Sequence, residues 1–98
     1  MASEQLQAEA WVGDAVLCLY GRLRILRRGG KVDGEQYQRM ASNQFLSAFG
    51  EPTAVEAQLG RLYQQEGLDA AFQWIEDRWM PVFDRQESNR AKRGKSRC

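Results

Sequence analysis

Apolar positions recur at three- and four-residue steps along most of the chain, and no stretch alternates with period two for long enough to predict a strand. Ser3 is a suitable N-cap for a first helix that runs to Arg28, and Gly29-Gly30 ends it. Its predicted buried stripe comprises Leu6, Ala10, Gly13, Val16, Leu17 and Tyr20. A glycine in mid-helix costs about 1 kcal/mol relative to alanine, so Gly13 indicates close approach of another backbone, such as a crossing helix.

Three further helices follow from capping signals. Asp33, with Gln36 three residues later, has the pattern of a capping box and opens a helix that stops near Gly50. Glu51-Pro52-Thr53 opens a third helix with proline in its first turn, and Gly67 ends it. The last helix is expected near residues 68–83. The predicted fold class is therefore all-α, a compact bundle of about four to five helices.

The distribution of charge divides this chain of 98 residues into two parts, although its net charge is only +1. Residues 1–83 carry 8 basic and 11 acidic side chains, whereas residues 84–98 carry 6 basic and 2 acidic ones. We expect residues 1–83 to form one helical domain and residues 84–98 a basic, disordered C-terminal tail. Such a tail also attracts a phosphate backbone.

Composition excludes several classes of function. The absence of histidine removes Ser/His/Asp and Cys/His catalytic arrangements and the usual zinc sites. No run of 18 apolar residues predicts a membrane span, and residues 1–5 do not read as a secretory signal. The two cysteines, Cys18 and Cys98, have no metal-binding spacing, so we expect reduced thiols and a cytoplasmic location.

Two acids stand in apolar helical surroundings. Asp14 lies within Ala10–Leu17, and Glu56 lies within Ala54–Gly60. We expect both carboxylates at or beneath a packed surface, where a charge without a partner costs several kcal/mol. Two such acids on separate helices are the simplest arrangement for holding a divalent cation. The alternative is that they are structural acids that cap or bridge helices.

The residues around both acids resemble one known family. The sequence Trp11-Val12-Gly13-Asp14-Ala15-Val16-Leu17 is similar to the signature helix of the ribonuclease III family, which contains Gly-Asp-Ala-Val. Residues 55–63, Val-Glu-Ala-Gln-Leu-Gly-Arg-Leu-Tyr, resemble the family's second acidic helix, and Gly67 and the next helix follow it as in the family. The two motifs occur in the family's order, and the resemblance covers roughly residues 6–83.

The resemblance implies a ribonuclease III-like endonuclease domain that is dimeric, with two protomers packed through their signature helices. It assigns Asp14 and Glu56 as catalytic metal ligands that bind Mg²⁺, with Mn²⁺ as an alternative. Thr53 lies one helical turn before Glu56, from where its hydroxyl can support the site by hydrogen-bonding a water molecule at the metal. Mg²⁺ commonly uses only one or two protein carboxylates together with water and substrate phosphates.

The chain departs from the family pattern at two acids and in the middle. Typical members carry further acids at the positions of Ala10 and Thr53. Small residues at these positions resemble the Mini-III branch, which lacks a double-stranded-RNA-binding domain. The segment 41–50 runs almost directly into Pro52, so at least one family helix or loop is missing.

Basic residues supply the expected RNA contacts, since double-stranded RNA is recognised largely through its shape, phosphates and 2′-hydroxyls. A cluster of five lies at the end of the first helix, and the others lie in the tail. Cations at a helix C-terminus also interact favourably with the dipole, so a merely solvated basic end is the alternative. The candidates are Arg22, Arg24, Arg27, Arg28, Lys31, Arg90, Lys92, Arg93, Lys95 and Arg97.

The sequence thus favours a metal-dependent endoribonuclease that hydrolyses double-stranded or structured RNA as a homodimer, as in RNA processing. The alternative is a catalytically inert or weak ribonuclease III-like module that binds RNA or serves as an assembly partner. A helical protein-interaction domain that binds no nucleic acid is a third possibility.

Overall fold

The protein is described by a computed structural model that covers residues 3–96, with side chains to residue 92. Every regular element within this range is helical, and none is a strand. The elements are α1 (Glu4–Gly29), α2 (Gly34–Met40), α3 (Asn43–Leu46), α4 (Pro52–Glu66), α5 (Leu68–Trp74), a π-helical turn (Ile75–Trp79) and α6 (Met80–Ser96). None of the helices over residues 3–96 is long and apolar enough to cross a membrane.

Capping groups define the ends of α1 and α4, close to the predicted positions. Ser3 accepts a hydrogen bond from the backbone N–H of Leu6 at 3.0 Å. Gly30 has a φ of 75° and donates its N–H to the carbonyl of Leu26 at 2.9 Å, so α1 ends there. Glu51 caps α4 through the N–H of Ala54 at 2.8 Å.

The predicted second helix is interrupted at Ala41 and Ser42. The Ser42 hydroxyl donates to the carbonyl of Arg39 at 2.8 Å and accepts from the N–H of Phe45 at 3.1 Å. Its side chain therefore ends α2 and starts α3, since serine competes with the helical hydrogen bonds of the backbone.

The last helix passes through Pro81 and continues well beyond it. Pro81 has no N–H to donate, and the π-helical turn precedes it, with the N–H of Met80 bonded to the carbonyl of Ile75 five residues back. The helix then extends to Ser96, so the disordered tail that the sequence predicts from residue 84 is wrong over residues 84–96.

Two ion pairs hold α6 against the bundle just past Phe83. Both carboxylate oxygens of Asp84 accept from Arg24 of α1, at 2.9 and 2.8 Å. Glu87 receives two hydrogen bonds from Arg39 of α2, at 2.8 and 2.9 Å. The acids in the basic C-terminal segment thus attach α6 to the bundle, an arrangement that net charge alone does not reveal.

The core lies between α1, α4 and the helix that follows Gly67. Leu17, Leu59 and Ile75 are at most 1 % exposed, and Phe45 and Phe83 make an edge-to-face contact at 5.4 Å between ring centroids. Trp79 is buried in this core, whereas Trp74 is only partly buried and stacks beneath Arg78.

The backbones of α1 and α4 come into direct contact at two glycines. A Cβ atom on Gly13 would lie 2.7 Å from the carbonyl carbon of Glu56 and 3.0 Å from the backbone nitrogen of Gly60. A Cβ atom on Gly60 would lie 2.9 Å from the backbone nitrogen of Gly13. The close approach predicted at Gly13 is therefore confirmed, and the crossing helix belongs to the same chain.

Gly13→Ala should destabilise the protein because the added methyl group meets backbone rather than a movable side chain. We expect a loss of about 2–3 kcal/mol in the free energy of unfolding, measured in urea. Gly29→Ala is the matched control, since a Cβ atom there has no heavy atom within 4 Å in the described part of the chain. Equal stability of the two variants would contradict the direct backbone contact.

Candidate functional site

Asp14 and Glu56 come together where α1 crosses α4. Asp14 directly follows Gly13, and the backbone carbonyl of Glu56 is the group that a side chain at Gly13 would strike. The two carboxyl groups are close enough that Glu56, when protonated, hydrogen-bonds to Asp14. The structure therefore places both predicted metal ligands in one site.

The proximity of the two acids disfavours charge on Glu56. Partial burial raises the pKa of Glu56 to about 7, and the hydrogen bond to Asp14 and the charge of Asp14 act in the same direction. The more distant charge of Glu51 adds to this effect. A cation at the site would stabilise the ionised pair.

The environment of Asp14 differs from the sequence expectation. Its side chain is exposed, whereas Glu56 is half-buried, because Asp14 lies toward the solvent side of α1. Trp11, one helical turn earlier, is 81 % exposed. The pair therefore has one carboxylate in the crossing and one at the surface, accessible to a polyanionic ligand.

Thr53 has a nearer partner than the acid pair. The N–H of Ala54, the largest contributor, and the nearby backbone N–H and side chain of Thr53 together lower the pKa of Glu51. The predicted supporting role of Thr53 therefore competes with its role in the α4 cap. Glu51 was interpreted from the sequence only as a cap, although its position five residues before Glu56 also places its charge near the site.

The other acid near the signature motif does not join the pair. Glu9 receives two hydrogen bonds from Arg61 of α4, both at 3.1 Å, on another side of α1. Ala10, at a position where typical ribonuclease III members carry an acid, is 7 % exposed and packs in the helix crossing. Neither position supplies a further ligand.

The carboxylates of Asp14 and Glu56 suit a hard divalent cation that takes only one or two of its ligands from the protein. No group of three or more histidine, cysteine, aspartate or glutamate side chains suited to a metal occurs among the described residues. Two carboxylates are nevertheless within the number that Mg²⁺ commonly takes from a protein, with water and phosphate oxygens completing its shell. The charge conflict between Asp14 and Glu56 is of the kind that such a cation relieves.

The structure separates the five predicted cations of α1 and the following loop. Arg24 is buried and bonded to Asp84, so its charge is already compensated within the fold. The guanidinium of Arg22 lies over the ring of Tyr37, with its central carbon 5.0 Å from the ring centroid. Arg27, Arg28 and Lys31 are exposed and remain candidates for RNA contacts.

The C-terminal candidates lie on or beyond α6. Arg90 and Lys92 are exposed on this helix. The side chains of Arg93 and Lys95, and the whole of Arg97, lie outside the described residues.

Comparison with known proteins gives no relative for this chain: it matches no protein-family model, no curated protein and no solved structure.

The raised pKa of Glu56 predicts a pH dependence of stability. Since the pKa rises from 4.5 to about 7 on folding, the favourable contribution is complete below about pH 4.5 and is lost as the pH rises through 7. Glu56→Gln, which cannot ionise, should therefore gain stability relative to the wild type between pH 5 and pH 8, as measured by urea unfolding. A constant difference between the two proteins across this range would contradict the raised pKa.

The variant Asp14→Asn tests how much of the raised pKa of Glu56 is caused by Asp14. Removal of the neighbouring charge should weaken the pH dependence that Glu56 contributes, while the part due to burial stays.

Proposed function

We propose that this protein is a metal-dependent endoribonuclease that hydrolyses double-stranded or structured RNA as a homodimer, in RNA processing. The observation that carries the proposal is the convergence of Asp14 and Glu56 without a compensating cation from the described side chains of residues 3–92. Elsewhere the protein pairs acids of this kind with arginine, as in Glu9–Arg61 and Glu87–Arg39. Among the described residues Glu56 has no such ion pair.

Asp14 and Glu56 would hold a Mg²⁺ or Mn²⁺ ion between α1 and α4. When bound, such an ion activates water near neutral pH and stabilises charge that develops on the attacked phosphate. Glu56 must lose its proton to act as a ligand, so protons compete with the cation below pH 7. The exposed Asp14 lies on the side from which a phosphodiester would approach.

The solvent face of α1 supports the homodimer. Trp11, Leu19 and Leu26 are 81, 44 and 45 % exposed, respectively, and lie on the side of α1 opposite to Gly13 and Leu17. A helix with apolar residues on both its inner and its outer face typically packs against its own core on one side and against a partner on the other. Pairing of α1 with α1 of a second copy would bring two Asp14–Glu56 pairs into one assembly.

A second candidate function is an RNA-binding or assembly module without efficient cleavage. The observation that favours it is the donor set: Ala10 and Thr53 supply no carboxylate, and Thr53 interacts with the α4 cap. Such a module would bind structured RNA, with an affinity that falls steeply with salt, and would not cut it.

The decisive experiment is incubation of the protein with a long duplex RNA, with and without Mg²⁺ or Mn²⁺. Asp14→Asn and Glu56→Gln should each reduce cleavage at least about a hundredfold, because each removes a ligand on which the chemistry depends. Glu35→Gln, an exposed acid on α2, is the matched control and should cut at the wild-type rate. Circular dichroism establishes that the variants are folded.

Cleavage that persists in Asp14→Asn or in Glu56→Gln would refute the assignment of the acid pair. RNA binding by the wild type without cleavage in either metal would select the second candidate function.

Trp11→Glu should dissociate the proposed homodimer, because it places a charge on the apolar outer face of α1. We expect the mass measured by analytical ultracentrifugation to fall by half. Leu68→Glu is the control, since Leu68 is 37 % exposed but lies on α5. A wild-type protein that is monomeric at micromolar concentration would contradict this part of the proposal.

A further inference from the structure

A cavity of about 430 Å³ lies between the C-terminal half of α1 and the helix that begins at Leu68. Its α1 wall is lined by Tyr20, Arg24, Arg27 and Arg28, and its opposite wall by Asp69, Phe72, Gln73 and Glu76. The three arginines share one side of α1 because residues three and four apart lie on the same helix face. The cavity combines these charged groups with the rings of Tyr20 and Phe72, and it lies on a side of α1 different from the apolar face that carries Trp11.

The three arginines of this cavity differ in how strongly each is ion-paired with a carboxylate of the protein. Arg24 is buried against Asp84, and its Nε atom lies 3.9 Å from Glu76. Arg28 reaches Asp84 only at 3.6 Å, with a side chain that is 62 % exposed. Within the described chain Arg27 makes no ion pair with a carboxylate. Arg27 and Arg28 are thus the cations available to a ligand.

The orientation of Gln73 on the opposite wall is fixed by a neighbour. Its side-chain NH₂ group donates to a carboxylate oxygen of Asp77 at 2.8 Å. The amide carbonyl oxygen is consequently the free end of the side chain, an acceptor without a donor elsewhere in residues 3–92. This oxygen can accept a hydrogen bond from a hydroxyl or amine group of a ligand.

Two acids lie in the same wall: Asp69 is exposed, whereas Glu76 is already engaged. Glu76 accepts a hydrogen bond from the hydroxyl of Tyr20 and faces Arg24. Its charge is partly compensated within the wall, which lowers its repulsion toward an anionic ligand.

We propose that this cavity binds the sugar–phosphate backbone of duplex RNA, with Arg27 and Arg28 at phosphate oxygens and the carbonyl of Gln73 accepting from a ribose 2′-hydroxyl. The inference rests on the proposed function, to which it adds a residue that distinguishes RNA from DNA. A cation pair on one wall and a free acceptor on the other match the two groups that an RNA backbone presents together. DNA offers the phosphate but lacks the hydroxyl.

The cavity is well separated from the acid pair of Asp14 and Glu56. Arg27 is 13 residues from Asp14 along α1, which corresponds to about 20 Å at 1.5 Å per residue. At this separation Arg27 and Arg28 would hold RNA at a place remote from the scissile bond.

The test compares binding of an RNA duplex and a DNA duplex of the same sequence by fluorescence anisotropy, in EDTA so that no cutting occurs. Gln73→Met, which removes the acceptor at similar size, should weaken RNA binding about three- to tenfold and leave DNA binding unchanged. The double variant Arg27→Gln/Arg28→Gln should weaken both and flatten the salt dependence of log affinity by about 2.

Gln64→Met on α4 and Arg85→Gln on α6 are the matched controls, since both residues are exposed and lie outside the cavity. Equal loss of RNA and DNA binding in Gln73→Met, or unchanged RNA binding in both cavity variants, would overturn the assignment. A wild type that prefers RNA in this cavity but never cuts it would refute only the nuclease proposal. A wild type that binds no duplex RNA would refute both.

Discussion

Backbone-to-backbone contact between α1 and α4 at Gly13 and Gly60 is the constraint on which the rest of the structure depends. A side chain at either position would meet main-chain atoms of the other helix, so only glycine permits this separation. The same contact fixes where Asp14 and Glu56 lie, because each is adjacent to the crossing. Packing and candidate chemistry are therefore set by one geometric feature.

Long-range ion pairs determine which charges are left for function. Arg24 and Arg39 bind acids of α6, and Arg61 binds Glu9, so three of the basic residues hold helices together. Further exposed cations lie at the end of α1 and along α6. A surface that is nearly neutral in total charge thus still presents separate basic regions to a polyanion.

Much of this fold could be predicted from the sequence because its signals are local. The caps at Ser3, Asp33 and Glu51 set helix starts, and the mid-helix Gly13 indicated the crossing. The continuation of the last helix could not be predicted, because it depends on contacts between residues about 60 positions apart, Arg24 and Asp84. The meeting of Asp14 and Glu56 was expected from the family resemblance rather than from spacing, which cannot say which faces of two helices meet.

The partners and the pKa of Glu56 bear on whether this acid has a structural or a functional role. A half-buried acid selected for stability acquires a cation or several hydrogen-bond donors, as Glu87 does with Arg39. Glu56 instead faces Asp14, and partial burial together with this neighbour raises the pKa of Glu56 to about 7, so that it is partly protonated at neutral pH. This arrangement costs stability wherever the pair is ionised. The divalent cation that we propose, with the phosphate that accompanies it, would offset that cost.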